Sequence, residues 1–184
     1  DQNPMLGLLA DNGGPTKTHT LLAGSPAANA GDPAFDTTNT PYDQRGIGYA
    51  RRNGSAIDIG AFEAVQPPTV TTPTSANLTT STATLGGNVT ADGGAAITER
   101  GVVYAPTGTN SNPLIGGTGV AKVTRTGTTG VFTVAVTGLT QTTGYSFKAY
   151  ATNSLGTSYS SVATFTTTLP DPTGAAGLVV TTNS

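Results

Sequence analysis

"GLTQTTGYSFKAYATNSLGTSYSSVATFTT", residues 138–167, decides how this chain folds. From Gly144 to Asn153 the side chains alternate. Tyr145, Phe147, Ala149 and Ala151 fall on one face; Ser146, Lys148 and Tyr150 fall on the other. A period of two with one apolar face predicts a strand against a core. A turn signal around Gly156 follows, and "YSSVATFTT" (159–167) resumes the pattern.

The same alternation recurs upstream. In 82–90, Ala83 and Leu85 point inward and, past a Gly-Gly irregularity, so does Val89. Residues 99–105 form a second strand, and 119–125 a third that sets Val120 and Lys122 against Ala121 and Val123. In 130–139, Phe132, Val134 and Val136 oppose Val131, Thr133 and Ala135. Strands at this spacing, separated by Gly, Asn and Ser turns, predict a β-sandwich. A unit of about 100 residues can hold such a core by itself.

Composition supports an all-β chain. Among 184 residues, charged side chains make up only 10% and there are 25 glycines; threonine is abundant, which favours strands and turns over helices. The net charge of -2 gives no footprint for nucleic acid. There is no cysteine, so neither a disulfide framework nor a thiolate metal site is expected. No apolar run is long enough to span a membrane. Low charge, absent cysteine and abundant Thr, Gly and Asn are a compositional association with secreted bacterial surface proteins.

Two breaks divide the chain. "AVQPPTVTTP" (64–73) reads as an extended linker around Pro67-Pro68, and "LPDPTGAAG" (169–177) as another. The expected units are 1–65, 66–168 and a tail of 169–184.

Residues 67–168 resemble a fibronectin type III domain. Gly138, Leu139, Thr143, Tyr145, Ala151, Asn153, Gly156, Phe165 and Thr167 match the last two strands of that family. "ITERGVVYAPTGT" (97–109) resembles a bacterial form in which Glu-Arg-Gly precedes the central strand. The resemblance implies that Tyr145 is the tyrosine-corner residue, its hydroxyl bonding back to the preceding loop. The core tryptophan of many members is missing, so Val103 or another aliphatic is expected in its place.

Residues 1–65 carry little period of either kind and many turn formers, such as Asn12-Gly13-Gly14-Pro15 and Gly31-Asp32-Pro33. Bulky apolar residues are few, so this unit should pack on something. Its motifs are Gly13 to His19, Leu21 to Ala27, Ala30-Gly31, Asp43-Gln44-Arg45-Gly46 and Asp58 to Glu63. They resemble the C-terminal end of right-handed parallel β-helix proteins of the bacterial adhesin and polymorphic outer-membrane type. The resemblance implies a β-helix cap-like segment, with His19, Asp43, Arg45 and Asp58 as cap-stabilising residues. "GLVVTTNS" (177–184) resembles the beginning of a further β-helix domain. The chain then looks like one repeat of a longer tandem protein, cut out of phase. Leu178, Val179, Val180, Thr181 and Thr182 are expected to form an assembly strand. They would either add to another copy, head to tail, or open a following domain.

Candidate chemistry is thin. His19 is the sole histidine, and Ser25 and Asp32 lie near it, but no nucleophile-elbow motif is present. Asp32, Asp36, Asp43 and Asp58 could supply oxygens to calcium, although no calcium-loop repeat is present; Asx-turn capping is the plainer role. No other cofactor is expected. Tyr104, Tyr150 and Tyr159 could offer a face for sugar, against cross-strand packing as the alternative. Asn53, Asn77 and Asn88 open glycosylation sequons, a pattern short enough to arise often by chance.

The expectation is therefore a non-enzymatic, extracellular structural or adhesive surface protein that works by stacking and strand pairing. Its partners would be copies of itself, with other surface components or glycans as further candidates, and neither nucleic acid nor membrane insertion. The alternatives are a non-catalytic segment of a secreted polysaccharide-degrading enzyme, or a carbohydrate-binding module.

Overall fold

The computed structural model describes residues 2–170. It is all-β, with no helix among these residues. Strands β1 (Leu6–Ala10) and β2 (Thr18–Leu21) form an antiparallel hairpin; the rest of 2–65 is turns and irregular chain. Then come β3 (Thr69–Ala76), β4 (Ala83–Ala91), β5 (Glu99–Pro106), β6 (Ala121–Arg125), β7 (Gly130–Val136), β8 (Gly144–Asn153), β9 (Gly156–Tyr159) and β10 (Ala163–Thr166).

Strands β3 to β10 make a β-sandwich of fibronectin type III-like form. One sheet runs β3-β4-β7; the other runs β10-β8-β5-β6, with β9 also paired to β8. Every ladder among the described residues is antiparallel. The core lies between the sheets: Leu85, Val89, Phe132, Val134 and Val136 on one side, Val102, Tyr145, Phe147, Ala149, Ala151 and Phe165 on the other. Phe165 stacks on Tyr145 at 5.3 Å between centroids and meets the edge of Phe147 at 5.9 Å, geometries that favour aromatic pairs.

Three local expectations need correction. The stretch 64–73 is not all linker, because β3 begins at Thr69 and runs through Pro73. The strand accommodates proline because it lies at a sheet edge and its register shifts between Thr71 and Thr74. Gly86-Gly87 does not interrupt β4, which pairs with β7 in unbroken register from Ala83 to Val89; the irregularity lies in β3, whose register shifts opposite Gly87. Gly87 occupies a core position where an added Cβ would come within 2.3 Å of the Ala149 methyl on the facing sheet. Val103 is buried. Val102 belongs to the inter-sheet core, and Val103 points to the opposite face of β5. The run 159–167 is not one strand: β9 ends at Tyr159 and β10 starts at Ala163, both on the same edge of β8. Between them Ser160 N–H donates to Ala149 O at 2.9 Å, and Ser160 Oγ accepts from Ala149 N–H at 3.0 Å.

Candidate functional site: a buried acid–guanidinium clamp and its joint to the sandwich

The 2–65 unit buries several polar side chains and, of its bulky apolar ones, Ile57. Asp43, Arg45, Asp58 and Glu63 are all buried, whereas Leu6, Leu8, Leu9, Leu22, Ile47 and Ile59 are exposed. A tight loop builds the site. Arg45 N–H bonds Asp43 Oδ1 at 2.8 Å, Gly46 N–H bonds Asp43 O at 3.0 Å, and Asp43 N–H returns to Tyr49 O at 2.9 Å. This Asx-type turn aims the Arg45 guanidinium inward. Its Nη2 donates to Asp43 Oδ2 at 2.6 Å and to Glu63 O at 2.8 Å. Its plane lies between the rings of Tyr49 and Phe62, 4.1 and 3.9 Å from their centroids, a stacked cation–π arrangement. Gly14 is required beside it. Its φ is +81° and an added Cβ would fall 2.4 Å from Arg45 Cα.

The other two acids are satisfied by backbone. Asp58 accepts from Asn29 N–H at 2.6 Å and Ala64 N–H at 2.7 Å. Glu63 accepts from Asp58 N–H at 2.8 Å and Asn53 N–H at 3.1 Å. Burial pushes the Glu63 carboxyl up; the two N–H bonds pull against this, the neighbouring Asp58 charge adds to it, and the net direction is upward. Burial also works against ionised Asp43. There the bonds from the Arg45 side chain and from the Glu63 and Arg45 N–H groups outweigh it and hold the carboxyl below its usual range. Each carboxylate oxygen in this cluster already holds a hydrogen bond, so the arrangement braces the chain rather than presenting a free acid or base.

The four residues assigned to the cap do not all meet. Asp43 and Arg45 form a buried ion pair, and the N–H and carbonyl of Glu63 and Ala64 link them to Asp58. His19 stands apart, exposed on β2, with Nδ1 2.7 Å from Gly7 O across the hairpin. The four aspartates considered for calcium do not converge either. Asp32 and Asp36 each cap a turn by accepting from Ala34 N–H and Thr38 N–H, both at 2.8 Å. Among the described residues no cluster of three or more His, Cys, Asp or Glu side chains is placed to hold a metal.

The clamp is joined to one end of the sandwich. Gln66 N–H donates to Gly93 O at 2.8 Å. Asn153, buried at the end of β8, donates from Nδ2 to Gln66 O at 2.7 Å and to Asp92 O at 2.8 Å. Asn53 sends Nδ2 to Ala64 O at 3.3 Å, so its amide is engaged within the joint. A cleft of about 490 Å³ lies between residues 45–54 and the 91–96 turn, with Arg52 and Asn53 on one wall.

Within the sandwich, Tyr145 Oη accepts from Thr140 N–H at 2.9 Å. The Glu-Arg-Gly motif divides its work. Glu99 faces outward, bonding Lys122 Nζ at 3.0 Å and the buried Tyr150 hydroxyl at 2.8 Å. Arg100 turns inward over Phe132, 4.9 Å from its centroid, and donates to the carbonyls of Thr126, Thr128, Thr129 and Gly130. Gly101 lets β6 approach, since a Cβ there would meet Val123 O at 2.1 Å. Tyr104, Tyr150 and Tyr159 do not share one open face. Tyr150 is buried and pairs across strands with Tyr159 at 6.3 Å, while Tyr104 packs on Tyr145 at 6.2 Å.

No helix among the described residues is long and apolar enough to cross a membrane. No family model matches the chain. No curated protein matches its sequence. Among solved structures, consecutive domains of titin are similar over 58% of this chain and 33% of theirs, at 20% identity and a TM-score of 0.42. The sensor domain of the anti-sigma factor RsgI4 of Pseudobacteroides cellulosolvens is similar over 57% of this chain and 98% of its own, at 19% identity and a TM-score of 0.41. A fibronectin type III domain of human collagen XX is similar over 59% of this chain and 99% of its own, at 17% identity and a TM-score of 0.41. At these identities and scores the likeness says nothing of ligand or partner.

Proposed function

We propose that this chain is a structural segment of an extracellular bacterial surface protein, a connecting unit that assembles end to end through strand pairing and stacking. One observation carries the proposal. The 2–65 unit is hydrogen-bonded to the sandwich at the Asn153 end of β8, and the chain leaves the sandwich at the Gly144 end. There Thr167 N–H bonds Thr143 O and Thr168 N–H bonds Thr79 O. A strand of β8's length separates the two ends by about 30 Å. A unit fixed at one end and extended from the other transmits position along a line. The interior of the 2–65 unit favours the same role, because its buried acids and guanidinium are spent on bracing irregular chain. The lightly charged, Thr- and Gly-rich composition and the resemblance of the 1–65 motifs support an extracellular setting.

The test is sedimentation velocity of the full chain from micromolar to millimolar concentration, with small-angle scattering on the same samples. Species that lengthen without thickening as concentration rises are expected. A monomer of constant dimensions throughout would overturn the assembly role.

A further inference from the structure

The hairpin β1–β2 presents an apolar surface with nothing over it among the described residues. Leu8 is 90% exposed, Leu9 55% and Ile59 57%. A groove of about 330 Å³ runs between the hairpin and the 59–62 turn, lined by Pro4, Leu6, Leu9, Leu21, Ile59 and Phe62 among others. A second hollow of about 310 Å³ continues it past Pro26 and Ile59. No carboxylate lines either hollow; Lys17 and His19 stand at the rim of the first. In the described structure β1 is paired to β2 alone, so one of its edges has free backbone groups. A groove of this kind beside an open strand edge suits strand addition: the edge supplies hydrogen bonds and the groove receives alternate side chains.

The chain carries one segment of matching chemistry. Leu178, Val179, Val180, Thr181 and Thr182, which lie outside the described residues, combine an apolar, β-branched sequence with no charge. Its own hairpin is out of reach. Leu178 follows Thr168 by ten residues, about 35 Å of fully extended chain. Thr168 is tied to Thr79 at the Gly144 end of the sandwich. Nearly all of that length is consumed in passing β8, and the hairpin lies farther on, across the clamp. Resting on the end-to-end reading above, we infer that the β1 edge and its groove receive the strand Leu178–Thr182 of a second copy. The contact is heterologous: the head of one copy takes the tail of the next, so it propagates unless the rotation closes a ring. A five-residue strand covers far less than the roughly 1,200 Å² of a stable interface, so the contact is weak singly and is seen at high concentration.

The chain has no cysteine, so an engineered pair reports the contact directly. The full chain carrying Leu8→Cys and Val180→Cys is oxidised at high concentration and separated under non-reducing denaturation. A ladder of covalent multimers is expected. Each single variant should stop at a dimer, and Val131→Cys with Val180→Cys, which uses an exposed sandwich position, should give no such ladder. Ile59→Asp, at an exposed side chain, should abolish assembly in sedimentation without altering the unfolding midpoint by more than a few degrees. Assembly that persists with Ile59→Asp and without an 8–180 ladder overturns this acceptor while the end-to-end reading stands. A chain monomeric under every condition overturns both.

Discussion

Asp43 and Glu63 lie in one hydrogen-bonded cluster and respond to protons in opposite directions. Asp43 sits below its ordinary value of 3.8 in the folded chain, so its contribution to stability is present above that pH and lost as pH falls through the lowered value. Glu63 sits above its ordinary 4.5, so its contribution is present below that pH and lost as pH rises through the raised value. The unfolding midpoint of the full chain should therefore rise from neutral pH toward about 4.5 and fall below about 3.8. Asp43→Asn should flatten the acid limb while lowering the midpoint everywhere, since it breaks a buried ion pair. A midpoint that does not change between neutral pH and 4.5 would refute the Glu63 assignment. The motif resemblance already pointed to Asp43, Arg45 and Asp58 as cap-stabilising residues, within a stretch that also carries Arg51, Arg52 and Glu63. It did not separate His19 from them. Nothing in a motif shows that a histidine on a two-stranded hairpin spends its ring on a carbonyl 12 residues earlier.

At the scale of the element, strands were legible where one face meets the core. β7 and β8 alternate, setting Phe132, Val134 and Val136 and Tyr145, Phe147, Ala149 and Ala151 toward the core, while β5 is buried on both faces. Legibility failed where a strand's reason for existing is a neighbour. β3 contains proline and threonine with little alternation, and it is a strand because β4 offers it an edge. The Glu-Arg-Gly motif could be recognised but not explained, because the carbonyls that Arg100 holds are 26 to 30 residues away. Those bonds fix the β6–β7 connection over Phe132. Arg100→Ala should cost about 2–3 kcal/mol, the range for hydrogen bonds from a buried charged group, read as a lower urea midpoint. Arg100→Lys should recover only a fraction, since an ammonium cannot fan out to several carbonyls at once. A Lys variant as stable as the parent would show that charge over Phe132, rather than the carbonyl grip, is what matters.

At the scale of the molecule, the division into a turn-rich unit and a sandwich was visible as a change of periodicity, but the bond between them was not. Pro67-Pro68 reads as a place where a chain comes apart. The joint depends on Asn153, a residue whose place in the fibronectin type III pattern says nothing of what lies before the first strand. Asn153→Ala removes the donor to the part-buried carbonyls of Gln66 and Asp92, a loss of about 1–3 kcal/mol. Residual dipolar couplings should then fit one alignment tensor for 2–65 and a different one for 69–168, where the parent fits a single tensor. A single tensor in both proteins would mean that Gln66 and Gly93 hold the joint without Asn153.

The bulge in β3 has a mechanical meaning. In the end-to-end assembly proposed above, a unit held at Gln66 and continued beyond Thr168 would be pulled along β8, so tension would enter through β3 and leave through β10. Both strands run nearly parallel to that pull, and their ladders share the load in shear rather than opening one rung at a time. Register breaks between Thr69 and Val70 and between Thr71 and Thr74 leave the β3 ladder with short runs, Val70 to Thr71 and Thr74 to Ala76. A short run yields before a long one. Under tension the first run of β3 would slip, lengthening the unit by a few residues and withdrawing Val70 from the core, and Pro73 marks where that slip stops.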